Sequence, residues 1–185
     1  MGVGLYGGAF DPPHLGHVEV ARRAKELLDL DRLVILVSEQ PAHKDVHLPA
    51  GERLELARAA FPDDEVRLDP FPRTADLLRA ESFEDPIFVV GADEFRNFLS
   101  WKEPDSVLEL ARLAVATRPG FPRELLEPVL GLLRHPERVE FFEIDPIRAA
   151  SREIRQRAAA GEPLDGLVPE TVAGLIQARH LYRAD

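Results

Sequence analysis

The sequence predicts an α/β fold: a single doubly wound, mostly parallel sheet with helices on both faces. Three observations carry that expectation. Short apolar, β-branched runs alternate along the chain with segments of helical period. Two of the runs, 33–37 and 87–92, show no polar alternation, as strands covered on both faces do not. The chemically dense segments follow directly after strands, where open α/β sheets bind their ligands. The 185 residues suit one domain, 1–185, with 151–185 as a helical C-terminal portion. A chain of this length buries roughly 70% of the surface its unfolded form exposes.

Taken in order, residues 3–7 are a short apolar run ending in glycine, the first expected strand. Residues 17–28 place Val18, Ala21, Ala24, Leu27 and Leu28 at helical spacing. Strand 33–37 follows, then helix 52–61 with Leu54, Ala57 and Phe61 on one side. Residues 66–68 make a short strand and 74–81 a helix. Strand 87–91 leads into short helices over 92–99 and 105–111. Strand 113–117 is stopped by Arg118-Pro119-Gly120. Pro122 opens an expected helix over 122–133. Strand 139–144 precedes helix 151–160, with Ser151 as its N-cap and Gly161 beyond its end. A terminal helix spans 169–180.

Composition excludes several function classes. Lys and Arg number 23 against 33 Asp and Glu, a net charge of −10. The basic footprint of a nucleic-acid binder is absent, while a local cationic pocket for an anion remains compatible. With no cysteines, disulfides and thiolate metal sites are ruled out. The longest apolar runs are strand-sized and far short of a membrane span. The opening residues lack the basic region and apolar length of a secretory signal. The expectation is a cytoplasmic protein with no membrane and no nucleic-acid partner, and a homo-oligomer is left open. The 16 prolines fall mostly between periodic segments and predict stiff connections.

The most informative segment is Gly7-Gly8-Ala9-Phe10-Asp11-Pro12-Pro13-His14-Leu15-Gly16-His17, between the first strand and the first helix. Two glycines let backbone approach a ligand closely. The helix start offers unpaired N–H groups and a positive dipole end, a natural phosphate site. His14 and His17 are three apart and share a face if the helix has begun. Two imidazoles there can donate to phosphate oxygens and stabilise charge on a transferring phosphate. Two histidines that merely fill a helix start are an alternative. Zinc is disfavoured, because no third ligand stands at supporting spacing. The segment matches neither the Gly-x-Gly-x-x-Gly dinucleotide pattern nor a P-loop. After the last strand, Ser151-Arg152-Glu153-Ile154-Arg155 sits at a helix start. There Ser151 can cap the helix and Arg155 offers a fork of donors for phosphate. A capped surface helix with an exposed arginine accounts for the same residues.

The first segment resembles the His-x-Gly-His signature of the nucleotidyltransferase superfamily. Gly-Gly-x-Phe-Asp-Pro ahead of it narrows the resemblance to the nicotinate-nucleotide adenylyltransferases, whose fold is Rossmann-like. Ser151, Ile154 and Arg155 match the family's second signature, Ser-Ser-Thr-x-Ile-Arg, while Ala150 and Arg152 depart from it. Arg152 is a candidate substitute for the lost hydroxyl. Ala9 stands where the family usually has Thr. Pro41-Ala42-His43-Lys44, Arg73-Thr74-Ala75-Asp76-Leu77, Val90-Gly91-Ala92-Asp93, Trp101-Lys102 and Thr117-Arg118-Pro119-Gly120 resemble further family segments, in order along the chain.

The resemblance implies adenylyl transfer from ATP to nicotinate mononucleotide in NAD biosynthesis, with pyrophosphate released. It implies His14, His17, Ser151 and Arg155 as the catalytic, charge-stabilising set. ATP would also meet Gly7, Gly8, Ala9, Phe10, Lys44, Gly91, Asp93, Arg118 and Ile154. Nicotinate mononucleotide would meet Gly8, Lys44, Thr74, Trp101 and Lys102, with Trp101 stacking on the pyridine ring. No metal-ligating residue is expected in the protein. Mg²⁺ would arrive with ATP, keeping several of its waters. The residues alone do not separate a pyridine acid from its amide. The competing readings are a nicotinamide mononucleotide or phosphopantetheine adenylyltransferase, and a nucleotide-sensing module without turnover.

Overall fold

Six strands form one sheet: β1 (Gly2–Gly8), β2 (Leu30–Ser38), β3 (Glu65–Asp69), β4 (Ile87–Gly91), β5 (Arg112–Thr117) and β6 (Val139–Glu143). Their spatial order is β3-β2-β1-β4-β5-β6, and every described pairing is parallel. The computed structural model describes residues 2–41, 45–119 and 122–183. The helices are α1 (Leu15–Leu27), α2 (Ala50–Ala60), α3 (Thr74–Ala80), α4 (Ala92–Arg96), α5 (Pro104–Leu110), α6 (Glu127–Leu130), α7 (Ser151–Ala160) and α8 (Glu170–Ala178).

The apolar runs behave as doubly covered strands. Along β2, Leu33, Ile35 and Val37 enter one core while Val34 and Leu36 enter the other. The first core packs α1, α2, α7 and α8 through Val20, Ala24, Leu56, Ile154 and Val172. The second packs α3, α4 and α5 through Leu77, Phe95 and Leu108. Both faces are therefore dry, which is why the strands read as continuous apolar sequence.

One expected helix is corrected. Residues 122–133 are a 3₁₀ turn, Arg123–Leu125, followed by the single-turn α6. Pro128 has no N–H to donate, and its ring would clash with the carbonyl four residues earlier, so one continuous helix cannot form. Leu125 and Leu132 stay largely exposed as a result. Helix 92–99 is also shorter than expected, passing after Arg96 into a 3₁₀ turn, Phe98–Ser100.

The strand order places the site. From β1 the chain moves outward through β2 to β3, then returns to the other side of β1 at β4. The loops after β1 and β4 therefore diverge and open a crevice above their C-terminal ends.

Candidate active site

That crevice is a cleft of about 870 Å³ lined from β1, β2, β4 and the turns that follow them. Its size is that of a small-ligand pocket. One end is built by the β1–α1 loop, the start of α7 and Arg118 after β5. The other end is built by Ser38, Asp69, Thr74, Trp101 and Lys102.

His14 is the N-cap of α1 and His17 its third residue. The His14 amide donates to His17 Nδ1 at 3.2 Å, and the His17 amide donates to the His14 carbonyl at 2.9 Å. The two rings stack with centroids 3.7 Å apart and 27° between planes. Because His17 Nδ1 accepts a hydrogen bond from the His14 amide, its neutral ring carries hydrogen on Nε2, the donor form a phosphate oxygen needs. His14 Nδ1 is buried without a hydrogen-bond partner. Burial, then the charge of Arg118, lowers the His14 pKa from 6.5 to about 4, so its ring is neutral at physiological pH.

The glycines here serve packing. A Cβ at Gly16 would lie 3.0 Å from both Nδ1 and Cε1 of His14. At Gly8 it would lie 2.9 Å from the Phe10 ring, which is itself 2% exposed and meets His17 edge-on at 5.2 Å. Phe10 thus serves mainly as a prop beneath His17. Gly7 and Ala9 line the cleft beside it.

At the α7 start the structure revises the expected N-cap. Ala150, not Ser151, is the N-cap. The Ser151 hydroxyl instead donates to the Pro12 carbonyl at 2.9 Å, and Arg155 donates to the Asp11 carbonyl at 2.7 Å. Both side chains line the cleft while fastening α7 to the β1–α1 loop. Ile154 is fully buried in the core, and its side chain does not line the cleft.

Gly91 is the N-cap of α4 and faces open space. Asp93 and Arg118 pair with each other at 3.1 Å across the cleft rim. At the far end, Thr74 is the first residue of α3, whose N-cap is Arg73, so Thr74 does not cap it. Lys102 is paired with Asp76 at 2.9 Å. The half-exposed Trp101 stands edge-on to Phe88 and Phe98 and lines the cleft. Lys44 falls outside the described residues. Among those described, no group of three or more His, Asp or Glu side chains is placed to hold a metal ion. No helix among them is long and apolar enough to cross a membrane.

Comparison with known proteins decides the family. Residues 5–157 match the cytidylyltransferase-like family model. A protein of Rubrobacter xylanophilus named "Probable nicotinate-nucleotide adenylyltransferase" is 36% identical, covering 100% of this chain and 94% of its own. A Thermus thermophilus protein of the same name is also 36% identical, over 99% of this chain and 100% of its own. The chain belongs to the nicotinate-nucleotide adenylyltransferase family. Among solved structures, the Plasmodium falciparum nicotinic acid mononucleotide adenylyltransferase complexed with NaAD shares the fold. Its TM-score is 0.74 at 16% identity, over 97% of this chain and 96% of its own.

Within the nicotinate-nucleotide adenylyltransferase family, the departures noted in the sequence acquire positions. Ala150 sits at the cleft, so the missing hydroxyl is missing from the site itself. Arg152 points to solvent and does not line the cleft, so it does not substitute. Three residues escaped the sequence reading. Arg53 on α2 is fully buried and donates to the carbonyls of Ala9, Ser38, Glu39 and Leu48. Asp11 is 4% exposed and receives the Tyr182 hydroxyl on one carboxylate oxygen and the His47 amide on the other. A charged residue inside an otherwise apolar helix face was the only signal for Arg53.

Proposed function

We propose that this chain transfers the adenylyl group of ATP to nicotinate mononucleotide. The observation that carries the reading is the stacked His14–His17 pair, set at the α1 N-terminus against the α7 start across one cleft. That arrangement gathers neutral N–H donors, a guanidinium and helix-end amides where a triphosphate fits. The remaining cleft, with Trp101 and Thr74, offers an aromatic surface for a pyridine nucleotide.

In the reaction an acceptor phosphate oxygen attacks the α-phosphorus of ATP, and the bond to the bridging oxygen breaks to release pyrophosphate. The nucleophile is already ionised, so no base is required to make it. Catalysis then rests on alignment and on stabilising charge as it moves toward the leaving group. His14, His17, Ser151 and Arg155 take the triphosphate, with Gly91 and Asp93 toward the nucleoside. The donors at this end are N–H groups and a hydroxyl. They fit phosphate oxygens better than they fit a cation, which matches Mg²⁺ entering as part of the MgATP substrate.

The test is pyrophosphate release from MgATP with nicotinate mononucleotide, nicotinamide mononucleotide or phosphopantetheine in parallel. Strong release with the nicotinate form alone supports the reading. Release with another acceptor keeps the chemistry and overturns the substrate. ATP binding without release in any tube favours a nucleotide sensor.

A further inference from the structure

We infer that the Tyr182 hydroxyl positions the triphosphate-facing loop, acting through the buried carboxylate of Asp11. Asp11 lies in the loop between β1 and α1, three residues before His14. Asp11 lines the cleft, but it is only 4% exposed and both its carboxylate oxygens are taken by protein donors. Oδ1 accepts from Tyr182 at 2.8 Å and Oδ2 from the His47 amide at 2.6 Å. Its main-chain carbonyl accepts from Arg155 at 2.7 Å. The loop between β1 and α1, the segment leading to α2, α7 and the end of the chain therefore meet at one residue.

A carboxylate buried this deeply needs its partners, because an unsatisfied one is costly to keep dry. Arg53, fully buried, supplies a nearby positive charge and holds the Ala9 carbonyl two residues upstream at 2.7 Å. Tyr182 completes the set from 171 positions away. Its backbone has φ +66°, a left-handed conformation that a tyrosine rarely adopts. Burial and the Asp11 charge hold its phenol well above the usual range, so the hydroxyl remains a donor. Tyr182 does not line the cleft; its ring packs against the core and its hydroxyl reaches the site through Asp11. Tyr182 is therefore a positioning residue.

The experiment titrates MgATP into the full chain by calorimetry without acceptor, and measures turnover separately. Tyr182→Phe removes only the hydroxyl. Arg179→Ala, which breaks the 2.9 Å contact from the end of α8 to Glu52, loosens the same terminal region without touching Asp11. Tyr182→Phe is expected to weaken MgATP binding roughly tenfold, the scale of one hydrogen bond to a charged group. It should lower kcat similarly and leave the KM for the acceptor unchanged, while Arg179→Ala matches wild type. Adding Tyr182→Phe to Asp11→Asn should cost little more than Asp11→Asn alone. If Asp11→Asn does not fold, the Tyr182 and Arg179 variants decide the matter without it. Unchanged MgATP affinity in Tyr182→Phe, or an equal loss in Arg179→Ala, overturns the inference. The kcat arm rests on the proposed reaction. If no acceptor yields pyrophosphate, that reaction fails while the MgATP titration still judges Tyr182.

Discussion

The His14 amide donates to the His17 ring at 3.2 Å while the two imidazoles stack 3.7 Å apart. One hydrogen bond thus sets the tautomer of His17, and one stack sets the plane of His14. Removing His17 removes both controls. His17→Ala is expected to lower kcat by about 10²–10³, the usual loss for one preorganised charge-stabilising donor. Circular dichroism should show the fold intact. A kcat near wild type would take His17 out of the mechanism.

His14 ties stability to pH. Its pKa is about 4 in the fold against 6.5 in the unfolded chain, chiefly through burial. Between those values the unfolded state binds more protons, so stability rises with pH. The contribution is complete above about pH 6.5 and is lost as pH falls toward 4. Between pH 7 and pH 5 the loss is on the order of 1–2 kcal/mol. Urea unfolding of wild type and His14→Gln across this window checks it, and the variant should show the flatter profile.

Gly16→Ala should separate stability from activity. The added methyl raises helix propensity, worth up to about 1 kcal/mol. It would also press on the His14 ring at 3.0 Å. The ring must give by a few tenths of an ångström, which shifts it within its stack on His17. Melting temperature should stay near or above wild type while kcat/KM for ATP falls at least about tenfold, as a misplaced catalytic group predicts. Equal activity would show that the stack is not needed.

The legible part of this site was the contiguous part. Gly7 to His17 is one strand–turn–helix, so its residue types and spacing already describe a local geometry. The sheet was legible for a similar reason: doubly covered strands leave unbroken apolar runs. What escaped depends on long-range contact. Arg53 reaches Ala9 across 44 positions, and Tyr182 reaches Asp11 across 171. Nothing local marks either pair. Ser151 is not the cap because α7 begins at Ser151 itself, with Ala150 before it, and the hydroxyl is held by the Pro12 carbonyl, which only the fold brings near. The helix over 122–133 was expected from Pro122 at its start, but Pro128 breaks it into a 3₁₀ turn and a single helical turn.

In the proposed reaction Trp101 divides the two substrates. It lines the end of the cleft away from the histidines, held edge-on by Phe88 at 6.1 Å and Phe98 at 5.2 Å. Trp101→Ala should raise the KM for the pyridine nucleotide roughly tenfold, given about 1 kcal/mol or more for an aromatic contact. The KM for ATP should change by less than about twofold, since sites without shared partners act nearly additively. A loss in both KM values would move Trp101 out of the acceptor end.

Arg53 is the strongest test of how the site is held. Its guanidinium serves four carbonyls from three segments: Ala9, Ser38 with Glu39, and Leu48. Burial lowers its pKa, a sign that keeping the charge there is costly. The carbonyls offset that cost only because a planar fork can meet all of them together. Lysine keeps the charge but has one nitrogen, which cannot span the three segments. Arg53→Lys therefore retains the desolvation cost and strands acceptors, and should destabilise by about 2–4 kcal/mol. Arg53→Met strands more acceptors but removes the charge, so its loss should be similar or smaller. Urea titration of both variants reads the difference. If Lys restores wild-type stability, the positive charge near Asp11 matters and the fork does not.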